Sequence, residues 1–271
     1  HAIPESDLPA LDQLREIYGS MDVSGEEWMD IKRIYYAMCT KVDDLFGQVV
    51  TAIKEKGIYD NTIIIFMSDH GDFAGDYALP EKTHFSLQDD LLQVPLAIRL
   101  PAAMGQIGGV RHHLAELVDM CPTIYELLDI RPGYDTQGMS LKASLQGEES
   151  AMRDCIFAEV GCRVAEEAFI NRDVDSMPND SFYGLQSQAS WVAHENGSYA
   201  ITCRSLDYKY VRRAYNNHHE LYDLSADPGE VNNLSGNPEL SDVEAKMAER
   251  LLNHFMQTGD VMPHETDSRQ I

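Results

Sequence analysis

The stretch Thr62-Ile63-Ile64-Ile65-Phe66-Met67 is mostly β-branched and apolar, has little polar interruption, and ends in Ser68-Asp69-His70-Gly71. A strand with one wet face alternates apolar and polar residues, and this run does not alternate. It reads as a strand buried on both faces, as in a parallel sheet sandwiched by helices. The preceding segment fits. From about Glu26 to Lys56, the residues Ile31, Ile34, Tyr35, Met38, Val42, Leu45, Phe46, Val49 and Ile53 recur at steps of three and four, as one helical stripe. Gly57 follows as a C-cap. A long helix feeding a buried strand is half of a βαβ unit.

The pattern continues on both sides. Residues 7–18 read as a short helix, 95–100 as a second buried strand closed by Pro101, and 114–118 as a third. Residues 119–128 read as a helix with Pro122 in its first turn. Past about Gly147 the texture changes. Segments 155–160 and 191–193 look like short strands, and 163–190 is a polar insertion without periodicity. Segments 198–204 and 208–214 form two strands around a turn at Ser205-Leu206-Asp207, and 239–256 is a final amphipathic helix. The expectation is an α/β core over 1–148 with a metal-binding loop. A smaller antiparallel α+β subdomain with a terminal helix is expected over 149–271, with its insertion at 163–190.

Composition narrows the function. The 271 residues are 44% apolar, ordinary for a globular chain, and their formal net charge is −24. That balance argues against nucleic acid and anionic membranes as partners. No run of about 18 apolar residues would span a bilayer. His1-Ala2-Ile3-Pro4 lacks the charged leader and apolar core of a signal peptide, so the expectation is a soluble protein, cytoplasmic or periplasmic or secreted. The five cysteines (Cys39, Cys121, Cys155, Cys162 and Cys203) are odd in number and contain no CxxC pair. Free buried thiols are expected, with a Cys155–Cys162 pair as the alternative.

The chemistry concentrates at Ser68-Asp69-His70-Gly71-Asp72-Phe73-Ala74-Gly75-Asp76, at the C-terminal end of the apolar strand. Ligand sites of open α/β sheets lie at that edge. Where the chain turns, adjacent Asp69 and His70 can reach one cation, and a carboxylate with an imidazole suits a divalent metal. The bland alternative has Asp69 capping a helix and His70 packing against it. Asp72 and Asp76 fit loop capping better than metal ligation. Lys82 follows the loop and offers an ammonium for an anionic oxygen. His84 is a weaker candidate, for substrate contact or proton relay.

Residues 61–101 resemble the C-terminal signature region of type I sulfatases in the alkaline phosphatase superfamily. The marks are the apolar strand into Ser68-Asp69-His70-Gly71, then Gly75-Asp76-Tyr77, Glu81-Lys82 and Val94-Pro95-Leu96-Ala97-Ile98. The helix from Tyr36 to Gly57 with Val42-Asp43 and Gly47 is similar to the family's. So are Glu116-Leu117-Val118-Asp119-Met120-Cys121-Pro122-Thr123, Gly138-Met139-Ser140-Leu141, Tyr208-Lys209-Tyr210-Val211 and Glu220-Leu221-Tyr222-Asp223-Leu224, with the tail Asp227-Pro228-Gly229-Glu230 and Asn233-Leu234. The resemblance implies a sulfatase-like α/β fold. It also implies a calcium-type cation held by two early acidic residues and a later pair matched by Asp69 and His70. The nucleophile it implies is a formylglycine made from the Cys or Ser of a C/S-x-P-x-R motif, and Lys82 matches the family's sulfate-binding lysine.

That motif is absent from these residues. Cys121 runs directly into Pro122, and Ser176-Met177-Pro178-Asn179-Asp180 ends in aspartate. Cys121 reads as core. The expectation is that nucleophile and early acidic ligands come from a segment preceding His1, and that this chain alone is inactive and binds metal weakly. The expected substrate is a small-molecule or carbohydrate sulfate ester. The alternatives are a phosphonate monoester or phosphodiester hydrolase of the same superfamily, and a noncatalytic sulfatase-like binding protein.

Overall fold

The computed structural model describes residues 9–148, 153–161, 184, 199–214 and 218–259. Helix α1 (Pro9–Tyr18) is followed by α2 (Gly25–Glu55). Ser24 opens α2 with a capping box: its hydroxyl accepts the Glu27 amide, and the Glu27 carboxylate accepts the Ser24 amide. Two donors near the helix start are thereby satisfied.

Strand β1 (Ile64–Met67) pairs antiparallel with β2 (Leu96–Arg99), with Ile64 opposite Arg99 and Met67 opposite Leu96. This corrects the expectation of a parallel, doubly buried strand. Among the described residues β1 has β2 as its sheet neighbour, its residues are half-buried, and Met67 is exposed. The α2 stripe also divides. Ile31, Tyr35, Phe46 and Ile53 are half-buried, with Phe46 against Phe66 at 4.9 Å between ring centres. Ile34, Met38, Val42, Leu45 and Val49 are exposed. An apolar pattern states which residues avoid water but not what covers them, and here one layer covers one side.

Residues 114–118 form no strand. They run extended into a 3-10 turn (Leu117–Asp119) and then α4 (Met120–Leu127). Local hydrogen bonds decide this. The fully buried Asp119 carboxylate accepts the Glu116 and Met139 amides, each at 2.7 Å. The Thr123 hydroxyl donates to Asp119 O at 2.6 Å and accepts the Leu141 amide at 2.8 Å. These bonds stitch the 138–141 turn and α5 (Lys142–Leu145) onto α4 and leave no ladder to join. Gly138 is required there, because a Cβ would overlap the Val118 carbonyl oxygen.

Strands β3 (Ile156–Val160), β4 (Ala200–Arg204), β5 (Tyr208–Arg213) and β6 (Glu220–Asp223) form one antiparallel sheet in that order. The expected hairpin is present, its turn closed by the Ser205 amide donating to Tyr208 O at 2.8 Å. The expected strand at 191–193 lies outside the described residues, as does the 163–190 insertion apart from residue 184. One face of the sheet packs Cys203, Tyr210 and Leu221 against Met247 and Leu251 of α6 (Ser241–Thr258). The opposite face packs Ala200 and Val211 against Leu87. A third cluster joins Leu11 and Leu14 of α1 to Phe73, Tyr77, Leu79, Phe85 and Leu91. The 71–92 segment therefore lies between α1 and the four-stranded sheet.

Cys155 and Cys203 are buried free thiols, as expected, while Cys39 and Cys121 are exposed. Cys121 thus departs from its reading as core: α4 turns Met120 and Thr123 inward, and Cys121 falls off that face. Among the described residues no helix is long and apolar enough to cross a membrane.

Candidate functional site

At the end of β1 the chain leaves the sheet and folds on itself. The Asp69 carboxylate accepts the His70 amide at 3.0 Å, and the Ser68 hydroxyl donates to His70 O at 2.9 Å. The His70 amide, first among its neighbours, holds Asp69 below the usual carboxylate range. The Nδ1 of His70 lies 2.7 Å from Gly71 O, a carbonyl that can only accept, so Nδ1 carries the proton. In the neutral ring the Nε2 lone pair is then free, and it sits 3.8 Å from Asp69 Oδ2. That is close to the separation of two donors each roughly 2.0–2.6 Å from a shared cation. Both side chains are open to solvent, His70 at 44% and Asp69 at 85%.

A carboxylate oxygen and an imidazole nitrogen fit a divalent cation. Among the described residues no group of three or more His, Cys, Asp or Glu side chains converges. Two donors alone could supply at most part of a coordination sphere. Asp72 does not join it. Its carboxylate accepts the Phe73 amide at 2.9 Å, and burial raises its pKa against the pull of that amide and of Lys82. Asp76 pairs with Lys32 of α2 at 2.9 Å. Both aspartates thus behave as loop fasteners.

The loop beyond is held in an unusual backbone. Ala74, Tyr77 and Ala78 all have positive φ, near 50°, a region that side chains disfavour. Several contacts hold it there: Arg15 Nε donates to Tyr77 O at 3.0 Å, and the Tyr77 hydroxyl donates to Gly229 O at 2.7 Å. At Gly75, with φ 101°, a Cβ would meet the Trp28 ring of α2 at 2.8 Å.

Lys82 and His84 lie on the exposed side of the next turn. No hydrogen bond or ion pair among the described residues engages the Lys82 ammonium, while its charge reaches Asp72. Lys82, Asp72, Glu81 and His70 are thereby electrostatic neighbours. The Thr83 hydroxyl between Lys82 and His84 is buried without a hydrogen-bond partner.

Sequence reasoning missed the charged anchor beneath this loop. Lys209 of β5, fully buried, donates to Asp89 at 3.0 Å and to both Glu230 oxygens at 2.8 and 2.9 Å. Arg204 of β4 grips the same Asp89 at 2.9 Å. Burial works to raise Asp89, but Lys209 and Arg204 outweigh it and hold the carboxyl below its ordinary value. Arg213, also buried, pairs with Glu220 and reaches Phe85 O at 3.4 Å. A signal existed: Lys209 and Arg213 share strand parity with Val211, so any strand that buries Val211 carries them inward too.

Comparison with known proteins places these features. The Sulfatase family model matches residues 6–130. A multifunctional alkaline phosphatase superfamily protein of Trinickia caryophylli is 27% identical over 90% of this chain and 44% of its own length. The N-acetylglucosamine-6-O-sulfatase of Bacteroides thetaiotaomicron is 27% identical over 89% of this chain and 38% of its own. The crystal structure of the phosphonate monoester hydrolase of Agrobacterium radiobacter superposes with a TM-score of 0.71 at 30% identity, covering 87% of this chain and 43% of that one. The chain spans less than half the length of each of these proteins. The fold is α/β, of the alkaline-phosphatase-like kind.

Proposed function

We propose that this chain, which belongs to the type I sulfatase group of the alkaline phosphatase superfamily, carries part of the active site of a sulfuric ester hydrolase. The observation that carries the reading is the Asp69–His70 pair, its donors 3.8 Å apart and the His70 tautomer set by Gly71 O, with the Lys82 ammonium, which has no ion-pair partner among the described residues, sharing Asp72 as an electrostatic neighbour with His70. The family uses a metal ion and a formylglycine, and we assign the metal as Ca2+. Bound there, a divalent cation draws charge from the oxygens of the transferring group. Asp69 and His70 would hold two of its positions. Lys82 pairs as a point charge with a sulfate oxygen near the departing alkoxide. His84, on the same exposed turn, contacts substrate or moves a proton to the leaving oxygen.

The substrate class is a small-molecule or carbohydrate sulfate ester, and the relative named as an N-acetylglucosamine-6-O-sulfatase supports the carbohydrate side. The 271 residues contain no C/S-x-P-x-R motif, so this chain by itself is expected not to turn over an aryl sulfate. Robust turnover would overturn the formylglycine reading. The metal assignment is tested by Mn2+ titration read as broadening of the His70 ring resonances. Asp69→Ala is expected to weaken binding by about tenfold or more, and equal binding in the variant would sink the assignment.

A second reading rests on the 30% identity to a phosphonate monoester hydrolase. Relative rates on an aryl sulfate and a phosphonate monoester, measured on a protein containing both this chain and its nucleophile, separate the two.

A further inference from the structure

Gly71 directly follows the proposed metal pair, and it rests on the short helix α3 (Asp89–Leu92). Its amide donates to Leu91 O at 2.8 Å. Its Cα lies so close to the helix that a Cβ would overlap the Asp90 carbonyl oxygen. The placement of Asp69 and His70 is therefore referred to α3 through one hydrogen bond and one backbone contact.

Helix α3 is too short to hold its own position: Leu91 and Leu92 pack into the neighbouring apolar clusters, and charge fixes its first residue. Arg204 and Lys209 are directly opposed across β4 and β5, on the sheet face that looks toward residues 85–92. Two cations in that relation repel one another unless an anion lies between them. Asp89, the first residue of α3, supplies it, bonded to Lys209 at 3.0 Å and to Arg204 at 2.9 Å. Lys209 is in turn fixed by Glu230, and the backbone beside Glu230 is tied to the site loop, since Gly229 O accepts the Tyr77 hydroxyl at 2.7 Å.

We propose that Asp89 is a positioning residue for the Asp69–His70 pair: the four-stranded sheet, through Lys209 and Arg204, holds Asp89, and α3 transmits that position to Gly71. Asp89 touches neither metal nor substrate. The statement concerns where the loop sits, and its importance for catalysis rests on the sulfatase reading above.

The test is amide hydrogen exchange on the 271-residue chain, wild type against Asp89→Asn. Gly71 is expected to exchange roughly tenfold faster in the variant while Tyr210 and Val211 of β5 stay within about twofold, because a local opening does not pass through global unfolding. Unchanged exchange at Gly71, or a rise shared equally by β5, overturns the proposal. Should Asp89→Asn fail to fold, Arg204→Gln removes the less buried cation, and a smaller selective rise at Gly71 is expected. From the loop side, Gly71→Ala must lift the loop off α3 with the ion cluster untouched. Both Asp89→Asn and Gly71→Ala are expected to weaken Mn2+ broadening of His70 by about tenfold. If Mn2+ does not broaden His70 in the wild type, the metal reading fails, and the exchange at Gly71 still decides the role of Asp89.

Discussion

Helix α2 carries an apolar stripe and strand β5 three cationic residues in six, yet it is the strand that is buried. Helix α2 keeps no side chain fully buried along 31 residues, whereas the six-residue β5 buries Lys209, Tyr210, Val211 and Arg213. The difference lies in the number of covered faces. Strand β5 has a ladder on each edge, α6 on one face and the 85–92 segment on the other. Helix α2 meets the rest of the described chain through residues such as Trp28, Lys32, Phe46 and Lys54, and much of its apolar stripe has no cover among the described residues. Where cover is complete, even charge is carried inward and must be paired. Where it is partial, apolar side chains stand in water at little cost to the fold.

The largest effect that would sharpen this contrast is Lys209→Ala. It strands Glu230 as a buried carboxylate and leaves Asp89 to Arg204 alone, and removing one partner of a buried ion pair costs roughly 3–5 kcal/mol. A guanidinium titration followed by circular dichroism checks this, and a loss under about 1 kcal/mol would mean the cluster is wetter than its burial suggests.

An effect of intermediate size comes from pH. Burial pushes Glu230 up to about 7, against the pull of Lys209. A carboxyl whose folded pKa is raised binds a proton more tightly when folded. Its contribution is therefore full below its unfolded pKa and is lost as pH rises through the folded one. Stability should fall between about pH 4.5 and 7, by at most about 3 kcal/mol from this group. Glu230→Gln should flatten that segment of the profile, and an unaltered profile would assign the pH dependence to other groups.

The smallest expected effect lies on the open face of α2. Val42→Glu and Val49→Glu are each expected to change the stability of this chain by no more than about 0.5 kcal/mol. A large loss at Val42 would break the comparison, because it would mean that this face is covered in solution, by a second copy or by another segment, and sedimentation would distinguish those.

The position of the candidate residues along the fold was largely legible in the sequence. Asp69 and His70 follow a short, mostly β-branched apolar run that reads as a strand, and the structure places them just past its end. Lys82 and His84 came forward through sequence proximity, and they do share one exposed turn. The direction of β1's partner was not legible, because an unalternating apolar run is compatible with either kind of ladder. The turn at 114–118 was missed for a related reason: its apolar residues look like a strand until Asp119 and Thr123 capture the backbone amides around them. Asp89 was unreadable for a different reason. An Asp-Asp pair before two leucines looks like a solvated helix start, and its partners lie 115 and 120 residues away.

By itself the sequence determined local things: where most of the strands and helices run, which residues form apolar stripes, and that a carboxylate and an imidazole sit together at a strand's end. These depend on periodicity and on neighbours within a few residues, which the chain order contains. Tertiary structure alone decided which apolar faces are covered, that Lys209 and Arg204 converge on Asp89, and that α3 carries the loop bearing Asp69 and His70. Those depend on contacts between distant segments, whose energy is set by burial and charge pairing that no local pattern records.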